Sequence, residues 1–337
     1  MARYSFVCAA LLSMAVTTGL GFVLIPFLKK LHYGQTIKEI GPTWHKDKEG
    51  TPTMGGLMFI AGILLGVGAG FYMLMSGQPE LFSAEYAGIN MVLVIGLFAA
   101  FGFGAIGFLD DYIKVVQKRN LGLTAGYKIV MQVLVTAAFL ASLYLNGTLS
   151  TMLRLPFFGY VDFGILYYPL AFLLIIGMVN GVNLTDGLDG LNASVTFVVS
   201  LGFMVFASLL GFYNVGIFSA AVAGGCAGFL AWNFYPAKVF MGDTGSMFLG
   251  GAVVAMAYGI GHPEVLLIAG FVYVMEAASV VIQVIYFKLT GGKRIFKMSP
   301  IHHHFEMSGW SEVKIDMVFS LIALAAVAVC SAYLYIG

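Results

Sequence analysis

Carboxylates stand in a few short polar segments that interrupt the long apolar runs of this 337-residue chain. Asp110 and Asp111 close a nearly uncharged run, a setting in which ionisable side chains are usually functional. Asp186 and Asp189 lie three residues apart within Asn183–Gly190, so both fall on one side of a helical turn. The plainer alternatives are a solvated helix end for the first pair and a polar connector between helices for the second.

Asp243 begins another apolar run, between Gly242 and Thr244 and shortly after Phe240. An acid flanked by small residues at a helix start suits an anion or a metal–anion complex, because backbone N–H groups there attract negative charge. The alternative is helix capping, since Asp and Thr are both good caps. The segment Asn233–Ala237 lies just upstream and belongs to the same polar cluster.

Three consecutive histidines, His302, His303 and His304, stand in a long polar loop. Their spacing does not indicate zinc, because neighbouring side chains point apart and no cysteine accompanies them. They can bond phosphate or sugar oxygens, or belong to a solvated loop. Glu276 and Gln283 lie two helical turns apart in the preceding apolar run. A carboxylate in lipid is costly, so we expect their face to look into the bundle, for structural hydrogen bonds or ligand contact.

The composition fixes what kind of fold must position these residues. Apolar residues make up 60% of the chain and charged residues only 10%, whereas soluble domains carry about 25% charged residues. A soluble enzyme and a disordered chain are therefore excluded, and a net charge of +1 gives no bias toward nucleic acid. The three cysteines lie in apolar runs and form neither a disulfide pattern nor a metal spacing. We expect one integral membrane domain over residues 1–337.

Apolar runs of about 20 residues can cross a bilayer as helices, and exposed strands cannot, which predicts an all-α helical bundle. Ten spans are predicted, at 5–28, 54–76, 87–109, 127–145, 163–180, 190–212, 214–233, 246–260, 264–288 and 316–336. The run 246–260 is the shortest and is rich in glycine.

Basic residues give the orientation, because they mark the cytoplasmic side of a membrane protein. With ten spans, only Arg3 and Arg154 fall on one side. The other side holds fifteen, namely Lys29, Lys30, Lys38, Lys46, Lys48, Lys114, Lys118, Arg119, Lys128, Lys238, Lys288, Lys293, Arg294, Lys297 and Lys314. Both termini are therefore predicted to lie outside. The acids described above share the cytoplasmic side, as expected of an enzyme that acts on cytoplasmic substrates.

Glycine patterns inside the spans predict helix packing. The segment Gly102–Gly107 matches G-x-G-x-x-G but follows no strand, so it does not indicate a dinucleotide site. Gly62 and Gly66, like Gly224 and Gly228, form G-x-x-x-G faces that serve packing within the chain or a homodimer.

Six motifs together resemble the polyprenyl-phosphate N-acetylhexosamine-1-phosphate transferase superfamily. They occur in the order of that superfamily and are Gly50–Gly56, Asp110–Lys114, Asn183–Gly190, Asn233–Ala237, Met241–Ser246 and Pro300–Glu306. The triple histidine resembles the muramoyl branch rather than the N-acetylglucosamine branch. The superfamily's ten spans with both termini outside agree with the count made from the basic residues.

The resemblance implies a reaction at the bacterial cytoplasmic membrane. Undecaprenyl phosphate, a membrane lipid, would attack the sugar-linked phosphate of UDP-N-acetylmuramoyl-pentapeptide. UMP would leave, and the product would be lipid I, the first lipid intermediate of peptidoglycan synthesis. One alternative is transfer of N-acetylglucosamine-1-phosphate. Another is a secondary transporter, although transporters place ionisable groups near the bilayer midplane rather than at one surface.

The resemblance also implies roles for particular residues. Mg²⁺ would be the cofactor, with Asp243 as the favoured ligand and with Asp110, Asp111 and Asp186 around it. Asp189 and His302 would complete the catalytic set, and whether any aspartate acts as base or nucleophile stays open. The residues implied to bind substrate are Lys48, Thr53, Lys114, Lys128, Asn183, Asn233, Phe240, Gln283, His302, His303 and His304.

Overall fold

A computed structural model describes residues 2–30, 48, 50–83, 86–116 and 122–336 of the chain. Four of the basic residues that the topology prediction uses, Lys38, Lys46, Lys118 and Arg119, lie outside these ranges. The helices are α1 (Ala2–Lys30), α2 (Gly56–Gly77), α3 (Ala87–Val116), α4 (Ala125–Leu145), α5 (Tyr167–Thr185), α6 (Leu191–Leu210), α7 (Tyr213–Asn233), α8 (Gly242–Gly259), α9 (Val265–Ala269), α10 (Phe271–Leu289), α11 (Ile301–Glu306) and α12 (Glu312–Ile336).

Within those ranges, nine helices are long and apolar enough to cross a membrane, which confirms a polytopic helical bundle. They are α1 to α7, α10 and α12. The helix α7 lies at the centre, with 78% of its most apolar window buried. The predicted span 246–260 corresponds to α8, which is not among the nine. The count of ten spans and the outer location of the termini stay predictions.

The helix α8 is enclosed by protein rather than by lipid. Every residue from Thr244 to Gly259 is buried, and the helix packs against α2, α3 and α5. The glycines in its sequence let these neighbours approach closely. Its first turn, which carries Asp243, therefore lies at the meeting point of several helices.

The predicted span 264–288 is confirmed over Phe271–Leu289, but a helix break at Gly270 separates its first residues. The short α9 ends at Ala269 and α10 begins at Phe271. A side chain at position 270 would collide with the Leu266 carbonyl and with Met178, so this glycine permits a close approach of α5. Glycine also destabilises a helix interior relative to other residues, so helix breaks are common at glycine.

A two-stranded hairpin between α4 and α5 was not predicted. Its antiparallel strands are β1 (Met152–Leu155) and β2 (Gly159–Asp162). The Tyr333 hydroxyl donates to the Arg154 carbonyl at 2.6 Å, and the Arg154 guanidinium lies over the Tyr333 ring. Tyr333 is near the end of α12, about 30 Å along the helix from its start at Glu312. The hairpin therefore lies at the opposite end of the bundle from Glu312.

The glycine motifs are used for packing inside the chain. In α3, Gly107 lies so close to the backbone of Asp243 and Thr244 that no side chain would fit between α3 and α8. Gly62 and Gly66 of α2 contact α1, as do Gly224 and Gly228 of α7, which accounts for both G-x-x-x-G faces. The packing interpretation is confirmed, and the predicted homodimer loses the observation that motivated it.

Candidate functional site

Three aspartates from two distant segments meet at one end of the bundle. Asp110 and Asp111 lie near the end of α3, and Asp243 lies in the first turn of α8. One carboxylate oxygen from each residue lies within 4.8 Å of the others. Asp110 and Asp111 are 1% and 2% exposed, while Asp243 is partly exposed. We call these three residues the aspartate cluster.

Two lysines bridge the aspartate cluster. The Nζ atom of Lys114 lies 2.5 Å from Asp110 and 3.0 Å from Asp243. The Nζ atom of Lys128, at the start of α4, lies 3.2 Å from Asp110 and 2.7 Å from Asp243. Three ionised carboxylates and two ammonium groups leave one formal negative charge at this point. The arrangement therefore favours a further cation.

Asp111 binds the start of α8. Its carboxylate accepts hydrogen bonds from the backbone N–H groups of Asp243 at 3.2 Å and Thr244 at 2.9 Å, and from the Thr244 hydroxyl at 2.7 Å. The capping alternative for Asp243 is not what the structure shows, because the side chain of Asp243 caps no N–H group of its own helix. Asp111, which is distant in sequence, supplies the negative charge at this helix end.

Asn183 connects the aspartate cluster to the segment that follows α5. Its amide donates to Asp243 at 2.9 Å and to the Ser246 hydroxyl at 2.7 Å. Asp186 ends the same helix, and its carboxylate has no hydrogen-bond or ion-pair partner within the described ranges. Burial, and then repulsion from Asp243 and Asp111, raises the pKa of the Asp186 carboxyl well above its usual range. Asp186 is thus a partly exposed acid beside the cluster, without a partner among the described residues.

The donor set of the aspartate cluster fits a magnesium ion. Mg²⁺ takes hard oxygen ligands at 2.0–2.1 Å in an octahedron, so ligand atoms lie about 3 to 4.2 Å apart. Three carboxylates within 4.8 Å of one another come close to that spacing without large movements. Asp186, a predicted ligand, lies outside this group of three. The cluster can therefore hold a divalent cation through Asp110, Asp111 and Asp243.

Asp189 and Lys48 lie in a second cluster, which also contains Glu312. Lys48 Nζ lies 2.7 Å from Asp189 and 2.7 Å from Glu312. Asp189 also accepts from the Ala237 N–H at 2.8 Å, and its own N–H donates to Glu312 at 3.0 Å. Burial lowers the pKa of Lys48, but its bonds to the two acids outweigh that effect and raise it overall. We call Lys48, Asp189 and Glu312 the closed cluster.

Sequence reasoning gave Glu312 no role in the site. Its position in the first turn of the last helix, directly after a long polar loop, was the available signal. That signal does not identify a partner, because Lys48 is 264 residues away along the chain.

Asn233 joins two of the remaining motifs at this end of the bundle. Its side-chain oxygen accepts from the Gly190 N–H at 3.2 Å, and its amide donates to the Val239 carbonyl at 2.9 Å. The residue is buried, so both bonds are shielded from water. Asn233 therefore holds the start of α6 against the segment that leads into α8.

Phe240 and Thr53 bring another pair of motifs together. The Phe240 N–H donates to the Pro52 carbonyl at 2.9 Å. A side chain at position 242 would meet both Thr53 Oγ1 and a carboxylate oxygen of Asp111, so Thr53 lies beside the aspartate cluster. The Phe240 side chain itself is partly exposed, which leaves an apolar ring surface open near that cluster. Such a surface can stack on a planar base.

The three histidines have three different environments. His302 is fully buried, and its Nδ1 lies 3.0 Å from Glu276 Oε1. His303 is less buried, and its Nδ1 lies 2.8 Å from Glu306 Oε2. His304 Nδ1 accepts a hydrogen bond from a backbone N–H at 3.1 Å. The three neighbouring histidines of this motif therefore differ in burial and in hydrogen-bond partner.

Gln283 and Glu276 both face into the bundle, which confirms the prediction for their helix face. The Gln283 side chain holds the loop after α10. Its oxygen accepts from the N–H groups of Ile295 at 3.1 Å and Phe296 at 3.0 Å, and its amide donates to the Phe296 carbonyl at 2.9 Å. Among the residues that the structure describes, the second N–H of this amide has no acceptor.

The chain matches known proteins along most of its length. The family model for glycosyl transferase family 4 matches residues 93–261, and the phospho-N-acetylmuramoyl-pentapeptide-transferase signature 1 matches residues 48–60. The chain is 47% identical over 315 residues to the phospho-N-acetylmuramoyl-pentapeptide-transferase of Halalkalibacterium halodurans, covering 93% of each protein. It is 46% identical to the Acetivibrio thermocellus enzyme of the same name, covering 93% of this chain and 91% of the relative. The relative from Clostridioides difficile is 44% identical, covering 94% and 93%.

Proposed function

This chain belongs to the phospho-N-acetylmuramoyl-pentapeptide-transferase family, and we propose that it catalyses the reaction of that name. An oxygen of undecaprenyl phosphate attacks the sugar-linked phosphorus of UDP-N-acetylmuramoyl-pentapeptide. The bond from that phosphorus to the UMP oxygen breaks, and UMP leaves with the electron pair. The product carries the sugar and peptide on a lipid diphosphate, the first lipid intermediate of peptidoglycan synthesis.

The observation that carries this proposal is the aspartate cluster with its two lysines. Both substrates are anions, and phosphoryl transfer is catalysed mainly by positioning and by neutralising charge. Lys114 and Lys128 place two ammonium groups at one point, and both are partly exposed. The cluster also lies where helices end, so a lipid phosphate and a water-soluble nucleotide can both reach it.

A magnesium ion is the proposed cofactor, held by Asp110, Asp111 and Asp243. When bound, it would supply positive charge to the phosphate oxygens of the nucleotide substrate. The chain's own contribution is to hold three carboxylates in one place, through the contact between α3 and α8. Asp186 adds a fourth carboxylate beside them.

No strong base is needed to activate the lipid phosphate. A phosphate monoester loses its second proton near pH 6, so the attacking oxygen is already an anion at pH 7. Asp110 is held by Lys114 and Lys128, and its Oδ1 accepts from the Leu123 N–H at 2.7 Å. Those contacts favour an electrostatic and positioning role for Asp110 over proton transfer or nucleophilic attack.

The remaining residues supply the proposed binding surfaces. Phe240 offers its ring to the uracil base, with Asn233 and the second N–H of Gln283 toward the same nucleoside. The accessible histidines, His303 and His304, are proposed to bond phosphate or sugar oxygens. Asn183 orients Asp243, and Thr53 lies beside Asp111 and Gly242.

The test is UMP release by the purified protein with undecaprenyl phosphate, Mg²⁺ and UDP-N-acetylmuramoyl-pentapeptide. We expect release that requires all three components. Equal or faster release from UDP-N-acetylglucosamine would identify the other branch of the superfamily instead. Uptake of the nucleotide sugar into proteoliposomes without UMP release would identify a transporter and contradict the proposal.

A further inference from the structure

A glutamate and a histidine form an isolated pair inside the protein, away from solvent. Glu276 of α10 and His302 of α11 are both 0% exposed, and their side chains lie 3.0 Å apart. Burying a carboxylate within a membrane-spanning helix is costly, and an apolar side chain of similar size would avoid that cost. A contribution to stability alone therefore does not explain this pair.

Each member of the pair has a second polar atom that finds no hydrogen-bond partner among the described residues. Glu276 Oε2 and His302 Nε2 are buried and make no hydrogen bond to any part of the chain that the structure describes. The direction of His302 Nε2 is informative, because it points at Gly187 in the segment after α5. A Cβ atom at position 187 would collide with Nε2 and Cε1 of that ring.

This contact requires a residue without a side chain at position 187. Its backbone is not in the left-handed region, where glycine is favoured for conformational reasons. Glycine is needed here because the His302 ring occupies the space that a side chain would fill. The His302 ring therefore directly supports the residue that follows Asp186.

The carboxylate of Glu276 fixes how the ring is held. Glu276 can only accept from the imidazole if Nδ1 carries the proton, so a neutral ring presents a bare Nε2 to Gly187. The ring can then neither flip nor rotate without losing this bond. Glu276 in turn is fixed on α10, two turns before Gln283, which holds the other end of the same loop.

We propose that Glu276 and His302 are a buried positioning pair, in which Glu276 orients the ring and the ring sets the place of Gly187 and Asp186 beside the aspartate cluster. Neither residue then touches substrate. The proposal rests on the proposed function for its kinetic consequence, because Asp186 acts within that reaction. It changes the expected role of His302 from a catalytic residue to a positioning residue.

The first test replaces Glu276 by glutamine, which keeps the shape but can present either its oxygen or its NH2 group to Nδ1, so the tautomer and orientation of the ring are no longer fixed. We expect kcat for UMP release to fall about 10- to 100-fold, the usual effect of removing the partner that orients a functional histidine. KM for the nucleotide substrate should stay within about twofold, and the Tm should change little, because glutamine keeps the shape and a hydrogen bond to the ring.

The matched control is Glu264→Gln. Glu264 pairs with His262 at 2.8 Å, is also buried, and lies at the other end of the bundle. We expect its kcat to stay within about twofold of the wild type. Near-normal kcat in Glu276→Gln, a loss expressed in KM alone, or an equal loss in Glu264→Gln would each overturn the proposal.

A second variant changes the residue that the His302 ring contacts, rather than the pair itself. Gly187→Ala leaves Glu276 and His302 unchanged but forces the ring and the segment apart, so we expect the same loss in kcat. Combining it with Glu276→Gln should add less than about threefold, because both changes disturb one contact. Fully multiplied losses would overturn the proposal. If Glu276→Gln fails to fold, near-normal kcat in Gly187→Ala alone would overturn it.

A readout that does not depend on activity separates this inference from the proposed function. In protein labelled with ¹⁵N-histidine, the signal lost in His302→Ala identifies that ring among the six histidines of the chain. We expect a protonated Nδ1 and a bare Nε2 in the wild type, and a changed spectrum in Glu276→Gln. An unchanged spectrum would contradict the pair. Absence of UMP release by the wild type would contradict only the proposed function.

Discussion

Two lysine–carboxylate clusters lie at the same end of the bundle, and they differ in how completely their charges are satisfied. The closed cluster holds one lysine between two acids, and each acid also accepts a hydrogen bond from a backbone N–H group. Each cluster has one acid more than it has lysines, but in the described part of the chain the aspartate cluster has a further unpaired acid, Asp186, beside it, and its two lysines are more exposed than Lys48. Residue types alone do not distinguish a reactive site from a structural ion-pair cluster. The unpaired acid beside the aspartate cluster and the greater exposure of its lysines do distinguish the two.

The largest expected effect is on turnover, from Asp243→Asn in the aspartate cluster. Loss of one carboxylate charge should reduce kcat by about 10² to 10³, as for the loss of one preorganised electrostatic group. The protein should stay folded, because Asn keeps the shape. Titrating Mg²⁺ in the UMP-release assay should recover part of the rate. Near-normal turnover with normal Mg²⁺ dependence would transfer the metal role to Asp110, Asp111 or Asp186.

Lys48→Met should show the opposite behaviour, with the effect on stability. It leaves Asp189 and Glu312 as buried acids without their cation, which costs about 3 kcal/mol, the low end for breaking a buried ion pair because Lys48 is 18% exposed. Thermal unfolding in detergent should reveal the loss. The folded fraction should retain kcat to within about tenfold. A stable variant with kcat as low as that of Asp243→Asn would place Lys48 in the reacting cluster.

Glu312→Gln should have a smaller effect on the same closed cluster. The amide oxygen can still accept from the Asp189 N–H, and Lys48 keeps its bond to Asp189. We expect destabilisation of about 1 kcal/mol, the net contribution of one hydrogen bond, and kcat within about threefold of the wild type. Thermal unfolding and the UMP assay measured together would check both. A larger loss of kcat than of stability would contradict the distinction between the clusters.

Cysteine labelling tests which side of the membrane the two clusters face. We expect the cysteine substitutions to change neither stability nor turnover. Glu80 and Lys297 are exposed, while the native Cys226 and Cys330 are buried. An impermeant reagent applied to intact cells should label a cysteine at position 80 and spare one at position 297. Position 154 should behave like 80, and position 118, outside the described ranges, like 297. Labelling of position 297 would overturn the ten-span prediction.

The sequence predicts most of the helices and the motifs that meet at the candidate site, except for Glu312, but not how the motifs pair. Apolar runs have a length and a composition that membrane thickness dictates, so their limits are readable. The partner of Lys48 lies 264 residues away, and that of Asp111 lies on α8, so tertiary packing decides both. The break at Gly270 was missed for the same reason. One glycine among 43 indicates a break only when Met178 is known to approach it.

The bond from Asp111 to the first turn of α8 decides how the site can hold phosphate. Many phosphate sites rely on the fixed N–H groups at a helix start, which neither move nor exchange partners. At the start of α8, the N–H groups of Asp243 and Thr244 already donate to the Asp111 carboxylate. We therefore expect phosphate to be bound by the flexible ammonium side chains of Lys114 and Lys128, which can follow a phosphate as it changes from one ester to another. Such recognition is also more open to screening, so substrate affinity should weaken as ionic strength rises.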